Sequence, residues 1–109
     1  MTIKLLLLKS GEDIISDVTE MTMGDENDYK VIGYFLNKPC IVKMHNQNVL
    51  SDAGEVNKTA GFQVSLTPWM PLSKDSRIPI PSDWLVTMVE PVTNLIDIYV
   101  KNVIDYGKE

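Results

Sequence analysis

Ile3–Val18 reads IKLLLLKSGEDIISDV, and this stretch decides the fold. It joins an apolar segment to a second apolar, β-branched segment through a tight polar turn that contains Gly11. Two such segments separated by a short glycine-containing turn are typical of a β-hairpin. Short strand-like segments separated by Pro, Gly and Asn continue as far as Pro91. The sequence therefore predicts a mainly β protein up to that point.

The run of leucines at positions 5–8 indicates that the first strand, Ile3–Leu8, is covered on both faces. Side chains alternate along a strand, so these leucines cannot all point to one side of a sheet. We expect the core on one face and a helix or a neighbouring subunit on the other, unless the strand is an adhesive sheet edge. In the second strand, about Asp13–Met21, Ile14 and Val18 are predicted to point inward.

The rest of the β region contains further strands and three contrasting loops. The acidic turn Thr22–Asp28 and the long polar loop 45–60 are expected to lie on the surface. Two prolines stiffen the loop 68–76. The predicted strands cover Tyr29–Leu36 with a continuation at Cys40–Met44, then Gly61–Thr67 and Trp84–Glu90, and a short extended piece covers Arg77–Ile80.

After Pro91 the apolar spacing changes from that of a strand to that of a helix. Apolar residues recur at intervals of three and four, which places them along one side of a helix over Val92–Tyr106. Thr93 or Asn94 is suited to cap its start, and Gly107 to end it. The stripe consists of Val92, Leu95, Ile96, Tyr99, Val100, Val103 and Ile104.

Length and composition favour one globular, intracellular domain. The chain has 109 residues, of which 44% are hydrophobic and 23% charged, as in an ordinary globular protein. Cys40 is the only cysteine, which fits a reducing compartment such as the cytoplasm. The leucine run is shorter than the ~7–15 residues of a signal peptide core. No stretch approaches the ~18 apolar residues of a membrane span.

The formal net charge of −5 limits the choice of partners. Non-specific affinity for nucleic acids comes mainly from neutralising phosphates. The charge therefore argues against DNA binding, and less strongly against local stacking of single-stranded RNA.

Five short strands followed by one helix predict a small, strongly bent antiparallel barrel with a C-terminal helix. Leu8–Val18 resembles the first half of the Sm/LSm pattern, in which an apolar strand and a Lys-x-Gly turn precede a strand that alternates apolar and small residues. Leu66–Asp75, Ile78–Pro81 and Met88–Pro91 are similar to Sm-like proteins of marine cyanophages, which also end in a short helix. The resemblance extends from Ile3 to about Tyr106.

This resemblance implies a single Sm-like domain over residues 1–109, with the five-stranded barrel over 3–90 and the helix over 92–106. It also implies a closed homo-oligomeric ring that handles RNA, in the cytoplasm of an infected host if the protein is phage-encoded. Four features depart from the Sm pattern, the first being that the strand pattern begins at Ile3, which leaves no place for the usual N-terminal helix. Ser16 stands where Sm proteins usually carry Gly, Thr22–Asp28 lacks the Asp-x-x-x-Asn of the base-contacting loop, and Ile78 follows Arg77 in place of Gly. The residues that read RNA bases in Sm proteins therefore do not carry over.

Residues suited to catalysis or metal binding are few. His45 is the only histidine and lies in a polar run, whereas a general base needs a positioned partner. Cys40 follows Pro39 in an apolar strand, which is typical of a buried small hydrophobe. One His and one Cys cannot build a zinc site, and the acidic residues lack calcium-loop spacing. We therefore predict neither an enzyme nor a bound metal or cofactor.

Trp69, Lys74 and Arg77 are the candidate RNA-binding residues. An aromatic ring in a proline-stiffened loop near two cations is suited to stack a base and meet a phosphate. The alternative is that Trp69 packs under its own loop or against the helix stripe, as large aromatic side chains usually do. Trp84 is predicted to lie in the core or an interface, and Tyr29, Tyr34 and Phe35 in the barrel wall.

Two functions follow from these observations. One is a ring-forming Sm-like protein that binds single-stranded RNA. The other, favoured by the acidic charge, is an oligomeric protein-interaction or structural module without nucleic-acid binding.

Overall fold

The computed structural model describes residues 1–45 and 63–105. This part of the chain is mainly β with a C-terminal helix, which confirms the predicted class. The first strand has the predicted bounds. The elements are β1 (Ile3–Leu8), β2 (Asp13–Asp25), β3 (Asp28–His45), β4 (Gln63–Pro68), β5 (Arg77–Pro81), a 3-10 turn (Ser82–Trp84), β6 (Leu85–Val89), α1 (Thr93–Tyr99) and a π-helical turn (Val100–Ile104).

The strands form one antiparallel sheet in the order β4-β3-β2-β1-β6, and β5 also pairs with β3. β3 is long enough to pair with two strands along one side. Its Gly33–Asn37 half pairs with β5, and its Cys40–His45 half pairs with β4. The change of partner falls at Lys38 and Pro39, where the chain bends. We call residues 37–39 the β3 bend.

The closed five-stranded barrel is not what the described residues form. Six strands are present, and no hydrogen-bonded ladder among them joins β6 to β4 or β5, so the sheet is not closed into a barrel. The additional strand is β5, which the sequence indicated only as a short extended piece. Its Pro79 and Pro81 lack N–H groups and are tolerated because β5 lies at a sheet edge. Its path also passes very close to Gly33, where an added Cβ would lie 2.4 Å from the Ile80 carbonyl oxygen.

Both faces of β1 are covered, as the leucine run predicted. Leu6 and Leu8 belong to the cluster that we call the sheet core, formed by Leu6, Leu8, Ile14, Val18, Leu36 and Ile80. Leu5 packs on the opposite face against the helix core, formed by Ile15, Cys40, Leu95 and Tyr99. The inward orientation of Ile14 and Val18 is also confirmed. The helix therefore supplies the second cover that four consecutive leucines require.

The α-helix begins at Thr93, one residue later than predicted, and continues after Tyr99 as a π-helical turn. Val92 is its N-cap, has extended backbone angles, makes no side-chain capping bond and is 65% exposed, so the capping roles of Thr93 and Asn94 are wrong. Most of the apolar stripe is confirmed, because Leu95 and Tyr99 are buried. Val103 and Ile104 of the π-helical turn pack against the helix core. Tyr106 and Gly107 lie outside the described residues.

The β2–β3 hairpin extends further than the sequence indicated. Strand pairing continues to Asp25 and Asp28, so only two residues form the turn of the expected acidic loop. Gly24 makes this possible with a φ of 115°, and a Cβ there would lie 2.3 Å from the Asp28 carbonyl oxygen. Tyr29 is 61% exposed in this ribbon, so its place in a barrel wall is wrong, whereas Tyr34 packs against the sheet core.

Tyr99 fastens the helix to the β3 bend. Its hydroxyl donates a hydrogen bond shared by the carbonyl oxygens of Asn37 and Lys38, each 2.9 Å away. Lys38 has a φ of 48°, which non-glycine residues rarely adopt. The buried hydroxyl of Ser16 donates to the Asn37 carbonyl at 2.8 Å and so stabilises the bend. Burial raises the pKa of Tyr99 and keeps the phenol a donor.

Replacing Tyr99 by Phe should lower the free energy of unfolding by about 0.5–1.5 kcal/mol, because the shared hydrogen bond to the Asn37 and Lys38 carbonyl oxygens is lost. Urea denaturation followed by circular dichroism measures the change. Tyr29→Phe is the matched control, since its exposed hydroxyl should contribute little. Equal stability of the two variants would contradict the role assigned to Tyr99.

The same interaction should depend on pH. The Tyr99 pKa is raised in the folded state, so the unfolded chain loses this proton first as pH rises through the ordinary tyrosine pKa of about 10. The stability advantage of the wild type over Tyr99→Phe should therefore be fully present below about pH 10 and shrink above it. An advantage that stays constant into the alkaline range would contradict the shift.

Candidate nucleic-acid interface

The loop between β4 and β5 is fastened at both ends to the β3 bend. The Trp69 N–H donates to the Pro39 carbonyl at 3.0 Å, where the loop begins. The Lys38 N–H donates to the Ser76 carbonyl at 2.6 Å, where it ends. Inside the loop, the Ser73 hydroxyl accepts from the Asp75 N–H at 3.0 Å. This bracing holds the loop in one position relative to the sheet.

Trp69 is a packing residue in this structure. Its side chain is partly buried and contacts the sheet core. Part of the indole remains at the surface. Trp84, which was predicted to lie in a strand, occupies the 3-10 turn and is 43% exposed.

Arg77 and Lys74 take different directions from the same loop. The Arg77 guanidinium lies over the Phe35 ring, 4.0 Å from its centroid, in a cation–π contact. Phe35 faces away from the sheet core, because its neighbours Tyr34 and Leu36 both contact that core. Lys74 is exposed and lines a cleft beside the β3 bend. The three predicted residues therefore do not share one surface, although they belong to one braced loop.

The cleft, which we call the proline cleft, has a volume of about 340 Å³. Its walls are mainly apolar and its rim carries hydroxyl and charged groups. The structure adds Lys38 to this rim, a residue that the sequence analysis missed. The lining residues are Lys38, Pro39, Cys40, Pro68, Met70, Pro71, Ser73, Lys74, Asp75, Ser76, Ile78 and Val103.

Cys40 is buried in the cleft wall, as predicted for a small hydrophobe. Burial raises the pKa of its thiol, and the sulfur lies 3.7 Å from the Lys38 carbonyl oxygen, to which it donates. The thiol is therefore protonated at neutral pH and adds no negative charge to the cleft. The side chain of His45, the other residue weighed for catalysis, lies outside what the structure describes.

Two further features of the described residues bear on function. Among residues 1–45 and 63–105, no three His, Cys, Asp or Glu side chains meet in a group that could hold a metal ion. None of the helices described is long and apolar enough to cross a membrane.

Fold and site together define a bent antiparallel β protein with a C-terminal helix and a cation-rimmed cleft at the strand bend. The chain belongs to the family of unknown function DUF6561, whose model matches residues 1–104. The match spans every strand, the helix and the cleft. A comparison with curated proteins finds no match.

Trp69→Ala should lower the free energy of unfolding by about 2 kcal/mol, less than for a fully buried Trp, because it leaves a gap beside the sheet core. Trp84→Ala removes the same side chain from a more exposed place and should have a smaller effect. Thermal and urea denaturation of both variants measure the difference. If Trp69→Ala proves no more destabilised than Trp84→Ala, the packing role of Trp69 is wrong.

Proposed function

We propose that this protein is an Sm-like, ring-forming protein that binds single-stranded RNA through the loop Trp69–Arg77 together with Lys38. The observation that carries the proposal is the presence of two cations at one cleft in an acidic chain. Lys38 and Lys74 line one cleft, and the Lys38 N–H is bonded to Ser76, the neighbour of Arg77. Local positive charge of this kind is suited to meet a phosphate backbone.

The number of cations limits how tightly one subunit binds. One or two phosphate contacts give modest affinity that falls as salt is added. Repetition of the site around a ring converts later contacts into intramolecular ones and raises the overall affinity. The proposal therefore requires an oligomer.

The support for an oligomer lies on β6. The sequence suggested β1 as the exposed edge, but β1 lies between β2 and β6 and is an interior strand. Among the described residues β6 pairs only with β1, and it exposes Val86 by 58% and Val89 by 46%. An apolar edge strand is suited to pair with another chain. We propose that it pairs with a second copy, and that repetition of this contact joins the subunits into a closed ring.

The ring should appear as a mass several times 12.3 kDa in light scattering at micromolar concentration. Val86→Lys places a charge on the β6 edge and should reduce the mass toward that of a monomer. Val92→Lys is the control, because Val92 is also exposed but lies at the start of the helix. A wild-type monomer, or equal masses of both variants, would refute pairing through β6.

RNA binding can be measured by fluorescence anisotropy with labelled single-stranded oligonucleotides at low salt. The double variant Lys74→Gln/Arg77→Gln should weaken binding several-fold and make it less dependent on salt, because it removes phosphate contacts. Lys9→Gln/Lys30→Gln changes net charge equally at exposed sites elsewhere and should have little effect. A wild-type protein that binds no oligonucleotide of any composition would show that the RNA proposal is wrong.

The second candidate function is an oligomeric protein-interaction module without nucleic-acid binding. It is favoured by the net charge of −5 and by the apolar β6 edge. An intact ring that binds no RNA would support it.

A further inference from the structure

The geometry points to the proline cleft as a pocket for one nucleobase of a bound single strand, with the neighbouring phosphates held by Lys38 and Lys74. This inference rests on the proposed RNA binding and names the part of the strand that enters the protein. It replaces stacking on Trp69 by insertion of a base beside the loop.

Size and shape support a base as the occupant. A volume of about 340 Å³ lies at the lower end of the range for small-ligand sites, which begins near 300 Å³. Three prolines, one each from the β3 bend, β4 and the loop, contribute rigid apolar walls. Ile78 and Val103 close the cleft from β5 and from the π-helical turn. Rigid, apolar walls of this kind are suited to a planar ring, because burying the faces of the ring removes apolar surface from water.

The chemistry of the walls suits an aromatic ring in particular. Met70 lines the cleft, and thioether sulfur makes favourable contacts with aromatic rings. The Cys40 thiol in the wall is uncharged, so a base that covers it buries no charge. Single-stranded RNA is commonly recognised through unstacked bases that leave the strand and pack against protein side chains.

The charged rim indicates where the backbone of the strand would lie. Lys38 and Lys74 are both exposed at the rim, and Asp75 is the only carboxylate among the described lining residues. A phosphate would be attracted by the two lysines and repelled by Asp75. The affinity therefore depends on a local balance that single substitutions can shift in either direction.

Bracing of the loop adds to the suitability of the site. Hydrogen bonds to the β3 bend hold both ends of the loop, and Ser73 and Asp75 are bonded within it. A cleft held open in this way loses little conformational entropy when a ligand enters.

The test compares a labelled uridine decamer with an abasic ribose-phosphate decamer of equal length, using the full chain. The uridine decamer should bind about 5- to 150-fold more tightly if one base contributes as in stacking sites. Ser76→Trp should fill the cleft without changing the Ser76 carbonyl, and should reduce uridine binding to the abasic level. Ser82→Trp, an equally exposed serine in the 3-10 turn, is the control and should bind as the wild type does.

Two further measurements locate the contact. Asp75→Asn should strengthen binding of the uridine decamer and Lys38→Gln should weaken it, and denaturation curves of all variants verify that they fold. Photo-crosslinking of a 4-thiouridine decamer, followed by mass spectrometry, should label peptides that contain Met70 or Ser76.

The outcomes separate the two proposals. If the wild type binds both decamers equally, or if Ser76→Trp and Ser82→Trp bind uridine equally, the cleft does not hold a base although RNA binding stands. Crosslinks confined to peptides without cleft residues would likewise show that the base does not enter the cleft. If the wild type binds neither decamer, the proposed function and the base pocket both fail.

Discussion

The hydrogen bond from the Tyr99 hydroxyl to the β3 bend is the interaction on which the rest of this structure depends. A bent strand turns carbonyl groups away from the sheet ladder, and buried carbonyl groups need another donor. Tyr99 of the helix donates to the carbonyl oxygens of Asn37 and Lys38, and Ser16 of β2 donates to that of Asn37. The net gain from one such bond is modest, about 1 kcal/mol, but an unpaired buried carbonyl would cost more. The bend and the helix position therefore stabilise each other.

The bend in turn decides where the candidate site can form. Because β3 changes direction at residues 37–39, β4 and β5 can pair with different halves of the same strand edge. The loop between them must then cross the bend, where Pro39 and Lys38 fix its two ends. The cleft is thus a consequence of sheet geometry, and its rigidity comes from the same bonds that end the two ladders.

The sequence predicted those features that are local in the chain and missed those that depend on distant contacts. The first hairpin and the helix stripe have clear periodicity, and the four leucines required cover on both faces of β1. β5 was predicted only as a short extended piece, because Pro79 and Pro81 are not tolerated in an interior strand. They are tolerated at a sheet edge, and the edge position of β5 depends on the whole fold. Trp69 was a candidate for stacking a base, but its contact with the sheet core is a tertiary one that the local sequence does not specify. Lys38 was missed as a site residue since its proximity to Ser76 arises from the bend; the only local signal was the interruption Asn37-Lys38-Pro39.

The acidic composition of the chain does not prevent Lys38 and Lys74 at the proline cleft from attracting a phosphate, because electrostatic interactions in salt solution are short-ranged. Three of the 15 acidic residues, Asp25, Glu26 and Asp28, lie at the tip of the β2–β3 hairpin. Asp28 is nine residues from Asn37 along β3, which corresponds to about 30 Å at the usual rise per residue. The Debye length at physiological ionic strength is about 8 Å, so charges at the tip are screened from the cleft. The carboxylates that bear on a phosphate at the rim are instead those near the bend, such as Asp75 in the cleft lining and Asp17, which pairs with Asn37. Net charge limits long-range attraction of a polyanion, and the local arrangement at the bend sets the strength of the contact once it is made.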